Sequence, residues 1–444
     1  MSYAAHLRAT LVLGLPLIGS HLAQFAISLS DAVMLGRYGI EALAGEVLGG
    51  SLFFVLFIMG SGFAWAVMPM VATAAAAGEE AQVRRVTRMA LWISVGFGVL
   101  TMPLFLVSER IFLGLGQTPE VSRIAQQYLT INGLSMVPAL VVMVLKSYLA
   151  ALERTRVVLW VTLGAVAVNV LGNYALIFGN WGAPEMGVRG AALSSVLVQV
   201  VSMGLLVAYA IRATPEHALF QRLWRPDREA FGRVFRLGWP IGLTSLSEVG
   251  LFAGSSVMMG WLGTLPLAAH GIALQISAAT FMVHMGLSNA ATIRAGRALG
   301  VGDRVALRRG AVVAIGLSMT MALATIVLFL GVPGPLISLF LDPAEPDRAA
   351  VIAIGTGLLA AAALFQFADG AQVMALGLLR GVQDTRVPMV MAGISYWLVG
   401  FPVGYGLAFG LGWGGIGVWL GLASGLALAG VLMMTRFWKR EVLR

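Results

Sequence analysis

The sequence contains no cysteine, and charged residues make up only 11% of its 444 positions. Without cysteine the chain has no disulfide, no thiolate metal site and no cysteine nucleophile. The HExxH pattern of zinc hydrolases and the GxxxxGKS/T pattern of nucleotide-binding loops are also missing. These absences argue against an enzyme, and they imply that any uphill transport draws on an ion gradient.

What the sequence has in excess is apolar side chains. Hydrophobic residues make up 59% of the chain, and the mean hydropathy is +0.89, which is too apolar for a water-soluble domain. Apolar stretches of roughly 20 residues, each enough to cross a ~30 Å hydrocarbon core, lie between charged breaks. We count twelve: 10–35, 46–73, 89–108, 122–147, 157–179, 188–211, 234–259, 266–293, 311–331, 350–379, 388–409 and 414–437. The sequence therefore predicts an all-α integral membrane protein with twelve transmembrane helices in a lipid bilayer.

The positive charges are placed as topology signals. The net charge is +9, but the basic residues occur in short runs between apolar spans, which is not the pattern of a nucleic-acid-binding protein. If the N-terminus is cytoplasmic, 24 of the 29 Lys and Arg residues fall on the cytoplasmic side. This bias predicts a multi-pass protein of a bacterial-type inner (plasma) membrane with both termini in the cytoplasm.

The chain also carries an internal duplication. The stretch LGLPLIGSHLAQFAISLSDAVMLG at 13–36 is repeated as LGWPIGLTSLSEVGLFAGSSVMMG at 237–260, a constant shift of 224 positions. The longest polar connection lies between the two copies. We therefore predict an N-terminal six-helix lobe at 1–211, a cytoplasmic linker at 212–233 and a C-terminal six-helix lobe at 234–444. Two such lobes are expected to be related by pseudo-two-fold symmetry around a central cleft.

Three of the 20 acidic residues lie inside apolar spans, namely Asp31, Glu248 and Asp369. A carboxylate at that depth costs at least ~2.5 kcal/mol, so each is a candidate functional residue with a polar or ionic partner. Asn169 and Asn173 are one helical turn apart, and their amides are predicted either to coordinate a cation with Asp31 or to bond Asp31 as a helix–helix contact.

The second half of the chain has a comparable polar strip. Gln366 and Gln372 flank Asp369 at three positions on either side, and the strip is predicted to meet Glu248. Two close carboxylates cannot both ionise cheaply, so the pair is expected to bind a metal ion or share a proton, with a structural hydrogen-bonded pair as the alternative. Gln24 occupies the position of Glu248 in the first copy and is a candidate polar support.

Weaker candidates are other residues inside the spans. Prolines 16 and 240 occupy matching positions, where a missing hydrogen bond produces either a static kink or a hinge. Histidines are unusual in apolar spans, and such a residue has either a functional or a structural role. The candidate hinge residues are Pro16 and Pro240, and the intramembrane histidines are His21 and His284. The candidates for the substrate cleft are Phe57, Phe281, Met282 and His284, with a lipid-facing or core role as the alternative for Phe57, Phe281 and Met282.

Three long runs resemble one family. They are PLIGSHLAQFAISLSDAVMLG at 16–36, AAHGIALQISAATFMVHMGLSNAATIRAGRALGVGD at 268–303 and FADGAQVMALGLLRGVQDTRVP at 367–388. These runs are similar to the MATE (multidrug and toxic compound extrusion) transporters, in particular their NorM-type branch. The resemblance implies two six-helix bundles, alternating access, and exchange of Na⁺ or H⁺ for organic, often cationic, drugs. It implies no cofactor other than the coupling ion, and we expect a monomer.

The resemblance also assigns the acidic residues. Asp31 matches the family's first-helix aspartate, and Glu248 and Asp369 match the acidic pair of the second lobe, which would hold the metal ion if Na⁺ is the coupling ion. The chain departs from the pattern at Asn173, where some relatives have an aspartate, and at Phe365, where NorM-type members often have a tyrosine. A flippase for lipid-linked precursors, from the wider superfamily, is the alternative function, and a membrane enzyme or receptor is the alternative class.

Overall fold

The computed structural model describes residues 2–439, and twelve of its helices are long and apolar enough to cross a membrane, as predicted. Of the basic residues predicted to be cytoplasmic, Arg440 and Arg444 lie outside the described part of the chain. The twelve helices are α1 (Tyr3–Tyr38), α2 (Ile40–Ala76), α3 (Glu80–Leu106), α4 (Pro119–Ala151), α5 (Thr155–Phe178), α6 (Val188–Ala213), α7 (Arg228–Leu262), α8 (Thr264–Gly300), α9 (Arg304–Gly331), α10 (Arg348–Gly381), α11 (Arg386–Gly410) and α12 (Gly414–Phe437).

Most helices extend beyond the predicted spans. The second helix begins at Ile40, although its predicted span starts at 46, and α7 begins at Arg228, although its span starts at 234. Charged side chains end an apolar run, but they do not interrupt the backbone hydrogen bonds of a helix. Charged residues near the spans are therefore helical, and this places Glu46 inside α2.

The described chain divides into two compact units that do not follow the order of the sequence. The first unit contains residues 19–242, and the second contains residues up to Ile18 together with those from Leu243 onward. The predicted lobe 1–211 contains all of α1, and the predicted lobe 234–444 contains α7 from residue 234 onward. In the structure each of these two helices is shared, since its first part belongs to one unit and its remainder to the other.

The beginning of α1 packs within the second unit. Ile18 of α1 lies against Gly286 of α8. One turn earlier in α1, Gly14 faces Leu287, which follows Gly286 in α8. Closer to the N-terminus, Nδ1 of His6 lies 2.6 Å from Nη2 of Arg294. Contacts of α1 with α8 along this length explain why residues up to Ile18 belong to the second unit.

The beginning of α7 packs in the same way within the first unit. Phe235 stacks on Phe63 of α2 with 5.4 Å between ring centroids. A Cβ placed on Gly62 would lie 2.4 Å from the backbone nitrogen of Gly242 and 2.5 Å from the carbonyl oxygen of Gly238. The two helix backbones touch at these glycines, because only residues without a side chain allow such an approach.

Both helices change units close to a proline. The first unit begins three residues after Pro16, and it ends two residues after Pro240. Proline removes one backbone hydrogen bond and crowds the preceding turn, so a helix bends most easily there. The two predicted hinges lie at these positions, and their role as hinges stays a prediction.

The polar connection between α6 and α7 lies along α3 and is held by its side chains. Arg85 binds Asp227 through two hydrogen bonds of 2.5 and 3.1 Å. Further along α3, Arg88 donates to the carbonyl oxygen of Leu219 at 2.8 Å. These hydrogen bonds from Arg85 hold the pKa of Asp227 below its usual value. The predicted linker is thus fixed to the first unit and does not behave as a free tether.

Helix α11 is irregular in the second unit. Its residues 394–400 and 406–410 form π-helical turns, and Gly400 and Gly404 contact Gly425 and Gly421 of α12. Turns of this kind are rare and widen the helix locally. One of them carries Tyr396, which is fully buried.

Candidate cation sites

The first unit brings Asp31 together with the two predicted asparagines of α5. Oδ1 of Asp31 accepts a hydrogen bond of 2.8 Å from Nδ2 of Asn169 and one of 2.6 Å from Nδ2 of Asn173. Both asparagines are fully buried, whereas Asp31 is partly exposed. The structure therefore joins the three residues that the helical spacing selected.

This arrangement leaves one oxygen of the group without a partner. Oδ1 of Asn173 is buried, and it accepts no hydrogen bond from any of residues 2–439. A buried polar atom without a partner is costly, and a bound cation is one way to satisfy it. The proposed polar support is different, because Gln24 is exposed and none of the hydrogen bonds to Asp31 comes from it.

The second unit brings Glu248 of α7 near Asp369 of α10. Asp369 is only 2% exposed and interacts electrostatically with Glu248, which is partly exposed. Across the described residues, neither carboxylate forms a salt bridge, and Oδ1 of Asp369 has no hydrogen-bond partner. Two interacting carboxyl groups inside a membrane span are stabilised by taking up a cation or a proton.

Two glutamines extend this site along α10. Nε2 of Gln366 donates to the carbonyl oxygen of Ser277 at 3.5 Å, and Nε2 of Gln372 donates to the hydroxyl of Tyr396 at 2.5 Å. The amide oxygens of both glutamines are buried without a partner in the described chain. Together with Oδ1 of Asp369, α10 therefore carries three buried oxygen atoms without a partner in the described chain. Oxygen is the ligand type that Na⁺ and other hard cations prefer.

Aromatic residues surround this part of α10. Phe365, which stands where a tyrosine was expected, packs edge-on against Phe252 at 5.9 Å and Trp419 at 5.2 Å. Tyr396 provides a phenol from another helix, and it interacts electrostatically with both Glu248 and Asp369. Sequence reasoning missed Tyr396, since one tyrosine in an apolar span has no distinguishing pattern.

The residues proposed for the substrate cleft lie in different environments. Phe57 stacks on Phe53 at 6.2 Å beside the first unit's core. His284 is fully buried, and its Nδ1 lies 2.9 Å from Oγ of Ser318. Phe281 and Met282 are partly buried. Their assignment to a substrate cleft stays a prediction.

Basic and acidic groups inside the spans were also missed. Lys146 of α4 interacts electrostatically with His21 of α1, and Arg380 of α10 interacts with Glu248. Glu46 of α2 interacts with Asp31. From their charge alone, the sequence analysis placed these three residues in the connections between spans. Lys146 nevertheless lies within the predicted span 122–147, and Arg380 lies one residue beyond the predicted span 350–379.

Comparison with known proteins identifies the family. The MatE family profile matches residues 16–175 and 240–406. A "Probable multidrug resistance protein NorM" of Rhizobium meliloti (strain 1021) is 45% identical over 99% of this chain and 94% of its own length. The protein of the same name from Agrobacterium fabrum is also 45% identical, over 98% and 94% of the two chains.

A solved structure shows the same fold. It is described as the outward-facing conformation of a multidrug resistance MATE family transporter of the MOP superfamily. It superposes with a TM-score of 0.89 at 18% identity, and the match covers 98% of this chain and 96% of that one. With the profile match and the close relatives, this establishes that the chain belongs to the MatE family.

Proposed function

We propose that the protein is a secondary active multidrug efflux transporter, which exchanges Na⁺ or H⁺ for organic and often cationic compounds by alternating access. The observation that carries this proposal is the pair of acidic sites, one in each unit, with buried oxygens that lack partners. The names of the NorM relatives supply the class of cargo.

The acidic sites can couple an ion to transport. Carboxylates inside a membrane span are stable only when a proton, hydrogen bonds or a cation neutralise them. An ion drives export only if it binds one conformation more tightly than another. We infer that Glu248 and Asp369 form the main ion site, that Gln366 and Gln372 support it, and that Asp31 with Asn169 and Asn173 forms a second.

The shared helices suggest where a conformational change is absorbed. We infer that α1 bends near Pro16 and α7 near Pro240, because each helix passes from one unit to the other within three residues of its proline. A hinge is a short segment that takes up a large change in backbone angles. If the helices bend at these two places, the start of α1 would move with the second unit and the start of α7 would move with the first unit.

The alternative function is export of lipid-linked precursors. A flippase for such anionic lipids would be expected to have basic side chains at its binding site. At the two acidic sites, by contrast, the buried atoms without a partner in the described chain are oxygens of Asn173, Asp369, Gln366 and Gln372. We expect cells or proteoliposomes containing the protein to export a fluorescent lipophilic cation when an ion gradient is applied. Transport of an anionic lipid-linked sugar with no transport of the cation would overturn the efflux proposal.

We further propose that both termini and the α6–α7 connection face the cytoplasm of a bacterial-type inner membrane, and that the protein acts as a monomer. Single-cysteine labelling tests the orientation, since the chain has no cysteine. Glu216 lies in the α6–α7 connection and Gln117 in the connection before α4, and both are exposed.

We expect an impermeant thiol reagent to label Gln117→Cys in intact cells and to label Glu216→Cys only after the membrane is opened. Labelling of Glu216→Cys in intact cells would contradict the orientation.

A further inference from the structure

An open groove lies between α9, α10 and α12, away from the acidic residues of the second unit. All three helices belong to that unit, which contains the chain from Leu243 onward. The groove has a volume of about 490 Å³, which is within the range of sites that hold small ligands. Its lining includes Met319 of α9, Phe367 and Met374 of α10, and Ala427, Val431 and Met434 of α12.

Small residues of α12 keep the groove open. Ala427 and Gly430 stand where larger side chains would fill the space between α9 and α10. A Cβ on Gly430 would lie 3.3 Å from the backbone nitrogen of Gln372, so α12 touches α10 along the floor of the groove. At the rim, Leu364 is 57% exposed and Val431 is 63% exposed. Because these helices cross the membrane, an apolar ligand can enter the groove from the bilayer.

The lining of the groove favours an uncharged, apolar occupant. Among the described lining residues only Ser424 has a polar side chain, and its hydroxyl donates to the carbonyl oxygen of Gly421 at 2.8 Å. None of these lining residues is acidic, in contrast to the two proposed ion sites. A drug cation would therefore lose its hydration in the groove without gaining a counter-charge, whereas a hydrocarbon chain has no such cost.

The length of the groove matches a lipid chain. Its lining extends along α12 from Leu420 to Met434, a separation of 14 positions. At a rise of 1.5 Å per residue this is about 21 Å. One leaflet provides about half of a ~30 Å hydrocarbon core, so the groove covers the depth of an acyl chain. The methionines at 319, 374 and 434 are unbranched and flexible, and they can adapt to the shape of such a chain.

Unpaired basic side chains stand at one end of the groove. Four spans separate the start of α9 from the end of α12, so both lie on one side of the membrane. Arg308 is exposed and lies eleven residues before Met319 on the same face of α9. Lys439 is exposed five residues after Met434.

These two basic groups are available to a ligand. Neither Arg308 nor Lys439 forms a salt bridge with any of residues 2–439. The carboxylate of Asp303 lies next to the start of α9, but it accepts a hydrogen bond of 2.9 Å from the backbone nitrogen of Ala306 and caps the helix. An apolar groove that ends at positive charges is complementary to an amphiphile with a negatively charged head.

We propose that the groove binds one anionic phospholipid, with an acyl chain along α12 and the phosphate at the end that carries Arg308 and Lys439. Burial of the chain against the apolar lining supplies affinity, and the two basic side chains attract the headgroup. The site lies outside both ion sites and does not depend on the proposed transport function.

Titration of the delipidated full-length protein with phosphatidylglycerol, followed by native mass spectrometry, tests the proposal. Phosphatidylcholine with the same acyl chains is the comparison without net charge. We expect one phosphatidylglycerol to bind per chain, more tightly than phosphatidylcholine. Arg308→Gln and Lys439→Gln should each weaken phosphatidylglycerol binding by about fivefold and leave phosphatidylcholine binding unchanged. Ala427→Phe should weaken the binding of both lipids by about tenfold or more, because its ring occupies the groove.

Two matched controls separate this site from general lipid contacts. Ala324→Phe places the same ring at an exposed position of α9 outside the groove. Arg386→Gln removes an exposed charge at the start of α11, which contributes none of the described lining residues. Both should bind phosphatidylglycerol like the unmodified protein, and the unfolding temperature of every variant shows whether it is folded.

The proposal is overturned if Ala427→Phe binds phosphatidylglycerol as tightly as Ala324→Phe does, or if the two lipids bind the unmodified protein equally well. Displacement of the bound lipid by the lipophilic cation tetraphenylphosphonium would also overturn it, because the groove would then belong to the transported drugs. If the lipid binds as expected but the protein exports no drug, the proposed function fails and the lipid site stands.

Discussion

Neutralising either acidic residue of the second unit should abolish most of the ion-driven export and leave the protein folded. Asp369 is buried, interacts electrostatically with Glu248 and has one oxygen without a partner in the described chain. In the proposed cycle this pair takes up a cation or proton from one side of the membrane and releases it on the other. Glu248→Gln and Asp369→Asn keep the shape of each side chain but remove its charge. Since a coupled ion typically changes affinity by about 5- to 150-fold between states, we expect a loss of transport in that range.

Proteoliposomes with an applied Na⁺ or pH gradient give the measurement. The gradient that drives the unmodified protein identifies the coupling ion, and each variant is compared under that gradient. Glu345→Gln is the control, because Glu345 is exposed between α9 and α10. If both variants transport at the rate of the unmodified protein, the second-unit site is not a coupling site. The first-unit carboxylates would then be the only candidates left.

Substituting Gly62 by alanine should destabilise the first unit strongly. A Cβ at this position would meet the backbone of α7 at Gly238 and Gly242, at 2.5 and 2.4 Å. A side chain can rotate away from a clash, but a helix backbone cannot, so α2 and α7 must separate. Overpacking of a buried contact costs about 1–3 kcal/mol, and we expect a value at the upper end of this range because the obstacle is backbone.

Thermal unfolding of the purified protein in detergent measures this effect. Gly96→Ala in α3 is the matched control, since a Cβ there meets no atom within 4 Å and the position is exposed. The control should unfold at or slightly above the temperature of the unmodified protein, because alanine favours a helix more than glycine does. Equal unfolding temperatures for Gly62→Ala and Gly96→Ala would show that α7 does not pack on α2 in this way.

Helical periodicity predicted which residues of one helix lie together. It placed Asn169 and Asn173 on one side of α5, and both donate to Asp31 in the structure. It also placed Gln366, Asp369 and Gln372 on one side of α10, where Gln366 donates to Ser277 of α8 and Gln372 to Tyr396 of α11. Periodicity does not say which neighbouring helix covers a face. Gln24 therefore shares a face with Asp31 by spacing but is exposed in the structure.

Glu46 shows what hydropathy alone does not reveal about the first unit. The predicted second span starts at Glu46 itself, and the residue was counted with the connection outside the membrane because of its charge. In the structure α2 already begins at Ile40, and it packs against α4 where Gly49 meets Tyr128. A contact between α2 and α4 depends on residues about 80 positions apart, and no local pattern encodes that pairing.

By itself the sequence determined the membrane class, the twelve spans, the duplication and the three most conspicuous acidic residues. These features depend on hydropathy, repeat spacing and helical periodicity, which are properties of continuous stretches of chain. Only the tertiary structure decided that α1 and α7 are divided between the two units, and that Glu46 and Tyr396 from other helices interact electrostatically with the acidic residues. Those outcomes depend on which helices pack together. Two helices approach closely at glycines, and polar groups are buried, only where segments far apart in the sequence meet, and no local pattern specifies that pairing.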